Sequence, residues 1–128
     1  FTSQEEQKRQ LEDLISKLIA DGISAENITI LSPYKRENSV VAEISRMKIR
    51  DYTPKIDGKV TFSTIQAYKG LENTVIIMTD VESFEHEQLM YVGLSRARSG
   101  LFILESNGAR KEYLDIQRRR FLEDGYKA

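Results

Sequence analysis

The stretch VTFSTIQAYKGLE, residues Val60–Glu72, decides the fold of this chain. It begins as a β-rich run, VTFSTI, in which about every second residue is apolar. A short polar segment, Gln66–Glu72, then leads into a second apolar run, Val75–Met78. This pattern predicts two buried strands joined by one tight turn, with side chains in the turn that are available to bind phosphate or sugar.

Strands and helices alternate along the rest of the chain. Ser3 and Glu6 have capping-box spacing, and they begin a predicted helix over Ser3–Asp21 that Gly22 ends. The connection from Ile65 to Thr74 is short for a crossover between parallel strands. We predict further strands at Asn27–Ser32, Thr74–Thr79 and Gly100–Leu104, helices at Asn38–Met47, Glu85–Ala97 and Lys111–Glu123, an acidic loop at Asp80–Glu85, and a loop with a short edge strand at Lys48–Lys59.

These elements predict a single α/β domain, residues 1–128, with a mainly parallel sheet flanked by helices. The absence of Cys excludes disulfides and Cys-based metal sites, and the single His86 argues against a His cluster, so no metal site is expected. No apolar run approaches the ~18–20 residues of a membrane span, and a signal-peptide pattern is absent. We therefore expect a cytoplasmic protein without a membrane partner. The net charge of −1 argues against a domain that binds nucleic acid on its own. It argues less strongly against a domain that forms only one wall of a larger nucleic-acid-binding site.

Thr64–Glu72, TIQAYKGLE, resembles motif V of superfamily 1 helicases of the UvrD type. The resemblance implies that Glu72 accepts hydrogen bonds from the ribose hydroxyls of ATP, and that Lys69 and Gly70 belong to the ATP-binding segment. It also implies that Thr64 and Gln66 face a nucleic-acid strand, although the family often has His where Gln66 stands. The alternative for Lys69-Gly70 is a simple solvent-exposed turn.

Ile28–Arg36, ITILSPYKR, resembles motif IV of the same family. The resemblance implies that Tyr34 lies near the adenine base and that Lys35 lies near the terminal phosphate. The family usually has Arg as the basic residue, and its planar fork of donors differs from the point charge of Lys. Arg36 is therefore the alternative base, and a solvated turn at a strand end is the alternative to ATP binding altogether.

Glu87–Arg98, EQLMYVGLSRAR, resembles motif VI. The resemblance implies that Arg96 is an arginine finger on the γ-phosphate, a role worth about 10³–10⁵ in rate in dissected NTPases. Arg98 is a second candidate. A cation near a helix C-terminus would also be favoured by the helix dipole, but this does not explain the whole pattern.

The phosphate-binding pattern G-x-x-x-x-G-K-[ST] is absent from the chain. The resemblance therefore implies a RecA-like second helicase domain without its own P-loop. ATP and its Mg²⁺ would be held by a missing N-terminal RecA-like domain of the same enzyme, and the isolated chain is predicted to be inactive. The expected partner is single-stranded nucleic acid, with DNA preferred. The alternatives are a non-catalytic helicase-derived module for protein interaction or weak strand binding, and an unrelated doubly wound nucleotide binder.

Overall fold

The computed structural model describes residues 1–54, 57–82 and 95–106, and these ranges form one five-stranded sheet. Its strand order is β2-β3-β1-β4-β5, and every neighbouring pair is parallel. The predicted parallel α/β architecture is therefore confirmed. The strands are β1 Ile28–Ser32, β2 Ile49–Asp51, β3 Val60–Thr64, β4 Asn73–Val81 and β5 Ala97–Glu105.

The helix α1, Gln4–Ala20, begins where the sequence predicts it. The Ser3 hydroxyl accepts a hydrogen bond from the backbone N–H of Glu6 at 3.2 Å, which satisfies one of the free donors at the helix start. Gly22 adopts a φ of +100° just after the helix, a conformation that residues with a Cβ disfavour. Within the described ranges, no helix combines the length and apolar character needed to cross a bilayer.

Two apolar clusters lie on opposite faces of the sheet, because successive strand residues point to opposite sides. Ile30 and Ile77 belong to the cluster that packs against α1. Leu31 and Met78 belong to the second cluster, together with the fully buried Tyr68. Tyr68 lies in the connection between β3 and β4, so this short connection crosses the second face and covers it.

The connection can be short because it passes over a single strand. β1 lies between β3 and β4 and pairs in parallel with both. The chain leaves the carboxyl end of β3 and returns to the amino end of β4 through residues 65–72. The crossover that looked too short in the sequence is thus compatible with a parallel sheet.

The predicted helix Asn38–Met47 is wrong. Two short 3₁₀ turns, Arg36–Asn38 and Val40–Glu43, occupy its place, and Ile44 has an extended backbone. The apolar spacing that suggested a helix instead reflects Val40 and its neighbours packing on the edge of the α1 cluster. Contacts to the distant residue Asp80 determine the backbone here, and they override the local pattern.

The loop predicted at Asp80–Glu85 also begins too early. β4 continues to Val81, and Asp80 is a buried strand residue with 1% of its surface exposed. Ala97 begins β5 instead of ending a helix. The rest of the predicted helix Glu85–Ala97, apart from a turn at residues 95 and 96, and the predicted helix Lys111–Glu123 lie outside the described residues.

Substitution of Ile77 by Ala should reduce the free energy of unfolding by about 2–5 kcal/mol, because Ile77 is fully buried in the second-from-edge strand β4 and Ala would leave a cavity. Ile19→Ala is the control, because Ile19 is 46% exposed and its loss should change the free energy by about 0.5 kcal/mol or less. Chemical denaturation monitored by circular dichroism measures both. Equal losses in the two variants would contradict the placement of the core.

Candidate functional site

The candidate residues lie at two opposite edges of the sheet. In a parallel sheet all strands begin at one edge and end at the other. Ser32 pairs with Thr64 where β1 and β3 end, and we call this the carboxyl edge. Asn73 pairs with Ala97 where β4 and β5 begin, and we call this the amino edge. The carboxyl edge carries Tyr34, Lys35, Thr64 and Gln66, and the amino edge carries Glu72, Arg96 and Arg98.

The amino edge brings together one carboxylate and two guanidinium groups. The backbone N–H of Asn73 donates to the carbonyl of Arg96 at 3.0 Å, which places Arg96 beside the start of β4. The Nη1 of Arg98 lies 3.8 Å from the Oε1 of Glu72. These two side chains are 54% and 60% exposed, and an ion pair this exposed contributes at most about 1 kcal/mol to stability. Both side chains are therefore available to a ligand.

Arg96 is half-buried and is not part of the hydrophobic core. Its Nε is fully buried and has no hydrogen-bond partner in the parts of the chain that the structure describes. A buried donor without an acceptor is uncommon, because the lost hydration is not replaced. The backbone thus holds Arg96 at the same edge as Glu72, with one donor unsatisfied.

A cavity of about 300 Å³ opens beside Glu72 and Arg98 at the amino edge. Tyr52 and Tyr68 form part of its wall, with their ring centroids 5.2 Å apart and the rings at 86° to each other. Burial raises the pKa of Tyr68, so its phenol stays neutral at physiological pH. The cavity therefore combines an aromatic wall with charged groups of both signs, as binding sites for small polar ligands do.

Two hydrogen bonds fix the start of the turn between β3 and β4 at the carboxyl edge. The N–H of Ile65 donates to the carbonyl of Ser32 at 2.9 Å and extends the β1–β3 ladder by one residue. The Thr64 hydroxyl accepts from the N–H of Ala67 at 3.2 Å, so Thr64 shapes the turn. Gln66, the second residue of the turn, is exposed to solvent.

Lys69 and Gly70 lie in the second half of the same turn. Lys69 is exposed, and its backbone N–H donates to the carbonyl of Gln66 at 3.3 Å. Gly70 has a φ of +85°, which explains Gly at this position. The backbone then turns towards Glu72 at the amino edge. The turn alone explains Gly70, and it leaves the Lys69 side chain available to solvent or a ligand.

Arg36 is committed to contacts within the domain. Its Nη1 lies 3.0 Å from the Oδ1 of Asp51, and its Nη2 donates to the backbone carbonyl of Ile49. The guanidinium also lies 6.0 Å from the centroid of the Phe62 ring. Arg36 therefore fastens the edge strand β2 to the sheet. Of the two basic residues considered from the sequence, Lys35 is the exposed one.

Tyr34 is 37% exposed next to Lys35. Partial burial raises the pKa of Tyr34, and the nearby carboxylates of Glu82 and Asp80 raise it further. The phenol is thus neutral at physiological pH. The structure does not bring Tyr34, Lys35 and Arg36 together with Glu72, because they lie at opposite edges of the sheet. The sequence had grouped all four in one ATP site.

Sequence reasoning missed Asp80, whose buried carboxylate accepts five hydrogen bonds. Its Oδ2 accepts from the hydroxyls of Ser32 at 2.7 Å, Ser39 at 2.5 Å and Thr79 at 3.1 Å. Its φ is +60°, a region of backbone conformation that few residues other than Gly, Asn and Asp adopt. The one available signal was a carboxylate two residues after the apolar run Val75–Met78, a pattern that is equally typical of a loop.

The chemistry of the amino edge fits a nucleotide. Ribose hydroxyls can donate to the Glu72 carboxylate, and phosphate oxygens can accept from Arg96 and Arg98. The residues that the structure describes contain no group of three or more His, Asp or Glu side chains placed to hold a metal ion.

A family profile described as an AAA domain matches residues 2–108. The chain is 29% identical over 101 residues to the ATP-dependent helicase NAM7 of Saccharomyces cerevisiae, an alignment that covers 73% of this chain and 10% of that protein. The chain thus spans about a tenth of the length of this curated relative.

The crystal structure of the C-terminal domain of a possible DNA helicase from Lactobacillus plantarum WCFS1 superimposes with a TM-score of 0.59. The two chains are 18% identical, and the match covers 82% of this chain and 69% of the other. The chain belongs to the AAA domain family and has the RecA-like fold of a helicase C-terminal domain.

Proposed function

We propose that residues 1–128 are the second motor domain of an ATP-dependent superfamily 1 helicase or translocase with UvrD-type motifs. The observation that carries this proposal is the arrangement of Glu72 and Arg96 at the amino edge and of Lys35 and Gln66 at the carboxyl edge. One edge offers the chemistry for a nucleotide, and the other offers exposed donors for a nucleic-acid strand. The similarity to an ATP-dependent helicase and to a domain of a possible DNA helicase supports it.

The amino edge would complete an ATP site whose other half belongs to an N-terminal RecA-like domain of the same protein. That domain would supply the P-loop and the ligands for Mg²⁺. Glu72 would accept hydrogen bonds from the ribose hydroxyls. Arg96 would donate hydrogen bonds to the phosphate oxygens on which negative charge develops during phosphoryl transfer. Arg98 lies against Glu72 and is the second candidate for the phosphate contact.

The carboxyl edge would bind a single strand, with DNA as the expected substrate. Tyr34 and Lys35 follow β1 and Gln66 follows β3, and these two parallel strands end side by side. On this ground we assign Tyr34 and Lys35 to the strand-binding edge, although the resemblance implied an ATP-binding role for them. Lys35 would contact a phosphate, and the neutral ring of Tyr34 would stack on a base. The side-chain amide of Gln66 would donate a hydrogen bond to the strand. Thr64 would act indirectly, by shaping the turn. The net charge of −1 fits a domain that forms only part of the binding surface.

The turn between β3 and β4 connects the two edges. It carries Gln66 at one end and Glu72 at the other, with the buried ring of Tyr68 between them. Because Tyr68 is closely packed, we expect the turn to move as a unit. A displacement of Glu72 on nucleotide binding would therefore reach Gln66 and the strand.

The cytoplasmic location expected from the sequence stays a prediction.

Arg96→Ala in the full-length protein should reduce the strand-stimulated kcat for ATP by about 10³-fold or more, because a finger contributes mainly to the transition state. The Kd for ATP should change much less. Steady-state ATPase assays and fluorescent-nucleotide titration measure the two quantities. Arg9→Ala is the control, because Arg9 is an exposed residue of α1.

A loss of turnover in Arg98→Ala with normal turnover in Arg96→Ala would move the finger to Arg98. Normal turnover in both variants would contradict the catalytic role of this edge and favour a non-catalytic, helicase-derived module.

Lys35→Ala in the full-length protein should weaken single-strand binding and reduce the magnitude of the slope of log K against log salt by about 0.7, because one phosphate contact is lost. The KM for ATP should not change. Lys48→Ala is the matched control, because Lys48 is also exposed but precedes β2 at the amino edge. Fluorescence anisotropy at several salt concentrations measures the slope. A raised KM for ATP with normal strand affinity would return Lys35 to the nucleotide site.

A further inference from the structure

The carboxylate of Asp80 holds both ends of the loop that carries Tyr34 and Lys35. Ser32 precedes this loop, and its hydroxyl donates to Asp80 Oδ2 at 2.7 Å while accepting from the N–H of Tyr34 at 3.0 Å. Ser39 follows the loop, and its hydroxyl donates to the same oxygen at 2.5 Å. Residues 33–38 therefore lie between two serines whose hydroxyls both donate hydrogen bonds to Asp80 Oδ2.

The second carboxylate oxygen reinforces the attachment. Asp80 Oδ1 accepts from the backbone N–H of Val40 at 3.0 Å and from Gln7 Nε2 on α1 at 3.3 Å. The backbone N–H of Asp80 in turn donates to Gln7 Oε1 at 2.7 Å. The carboxylate thus connects the helix α1, the end of β4 and the loop of Tyr34 and Lys35. All of these contacts are buried, so water does not compete with them.

The backbone conformation of Asp80 also contributes to the position of the loop. Its positive φ turns the chain within β4, and Asp is one of the few non-glycine residues that adopt this region readily. A conformation of this kind persists only where the surrounding contacts hold it. The bonds from Ser32, Ser39 and Val40 are those contacts, so the strand and the loop hold each other in place.

We propose that Asp80 is a positioning residue for the strand-binding edge, which it serves by fixing the loop that presents Tyr34 and Lys35. The proposal rests on the proposed function, in which these two residues contact a single strand. Asp80 does not touch the strand, because it is 1% exposed. Its contribution is to keep the loop ordered before binding, so that less conformational freedom is lost when the strand binds.

A pair of matched variants separates this role from a general effect on stability. Ser39→Ala and Thr79→Val each remove one hydroxyl that donates to Asp80 Oδ2, but only Ser39 belongs to the loop attachment. In the full-length protein, Ser39→Ala should raise the Kd for a labelled oligodeoxythymidylate by about three- to tenfold. Thr79→Val should leave this Kd within about twofold. The ATPase rate without a strand should be normal in both.

Substitutions of Asp80 itself give a graded test. Asp80→Asn retains the preference for positive φ and one acceptor oxygen, whereas Asp80→Gly retains the backbone conformation and loses every side-chain bond. The Kd for the oligonucleotide should therefore rise in the order wild type, Asp80→Asn, Asp80→Gly. Hydrogen exchange of the amides in residues 34–38 should become faster in the same order.

The outcomes distinguish this inference from the function on which it rests. Equal strand affinities in wild type and Ser39→Ala, with weakened binding in Lys35→Ala, would overturn the positioning role and leave the strand-binding edge intact. Equal weakening in Ser39→Ala and Thr79→Val would also overturn it, because a general loss of stability would then suffice. Normal strand affinity in Lys35→Ala would overturn both the strand-binding edge and the role of Asp80.

Discussion

The parallel pairing of β1 with both β3 and β4 is the constraint on which the other features depend. Because β1 lies between the two strands, the chain must return across the sheet from the end of β3 to the start of β4. The turn at residues 65–72 makes this crossing and is packed by the buried Tyr68. One continuous segment therefore carries Gln66 at the carboxyl edge and Glu72 at the amino edge. In the proposed function, this arrangement would connect the nucleotide site mechanically to the strand site.

Buried polar contacts organise the carboxyl edge, while exposed charges mark the amino edge. Asp80 is fully bonded beneath the loop of Tyr34 and Lys35, and its contacts determine where that loop lies. Glu72 and Arg98 form only a solvent-exposed pair, which adds little to stability and leaves both groups available. A domain that works with a second lobe needs both properties. In the proposed function, the carboxyl edge would have to be rigid enough to hold a strand, and the amino edge would keep its charges free until the partner lobe closes.

Local signals in the sequence were sufficient for most of the fold. The cap at Ser3 and the apolar runs predicted α1 and the strands, because these elements form from nearby residues. The helix predicted at Asn38–Met47 failed because distant hydrogen bonds from Ser39 and Val40 to Asp80 outweigh the local spacing. The residue types of the site were predicted through resemblance. Their division between two edges was not, because it depends on strand order and register, which no single segment encodes.

Hydrogen exchange of the full-length protein tests the division into two edges most directly, with a non-hydrolysable ATP analogue and a single strand added separately. The account predicts that the analogue slows exchange at residues 70–73 and 96–98 and leaves 34–36 unchanged. The strand should slow exchange at residues 34–36 and 65–67 instead. Slower exchange at residues 34–36 with the analogue alone would contradict the account, because Tyr34 and Lys35 would then belong to the nucleotide site.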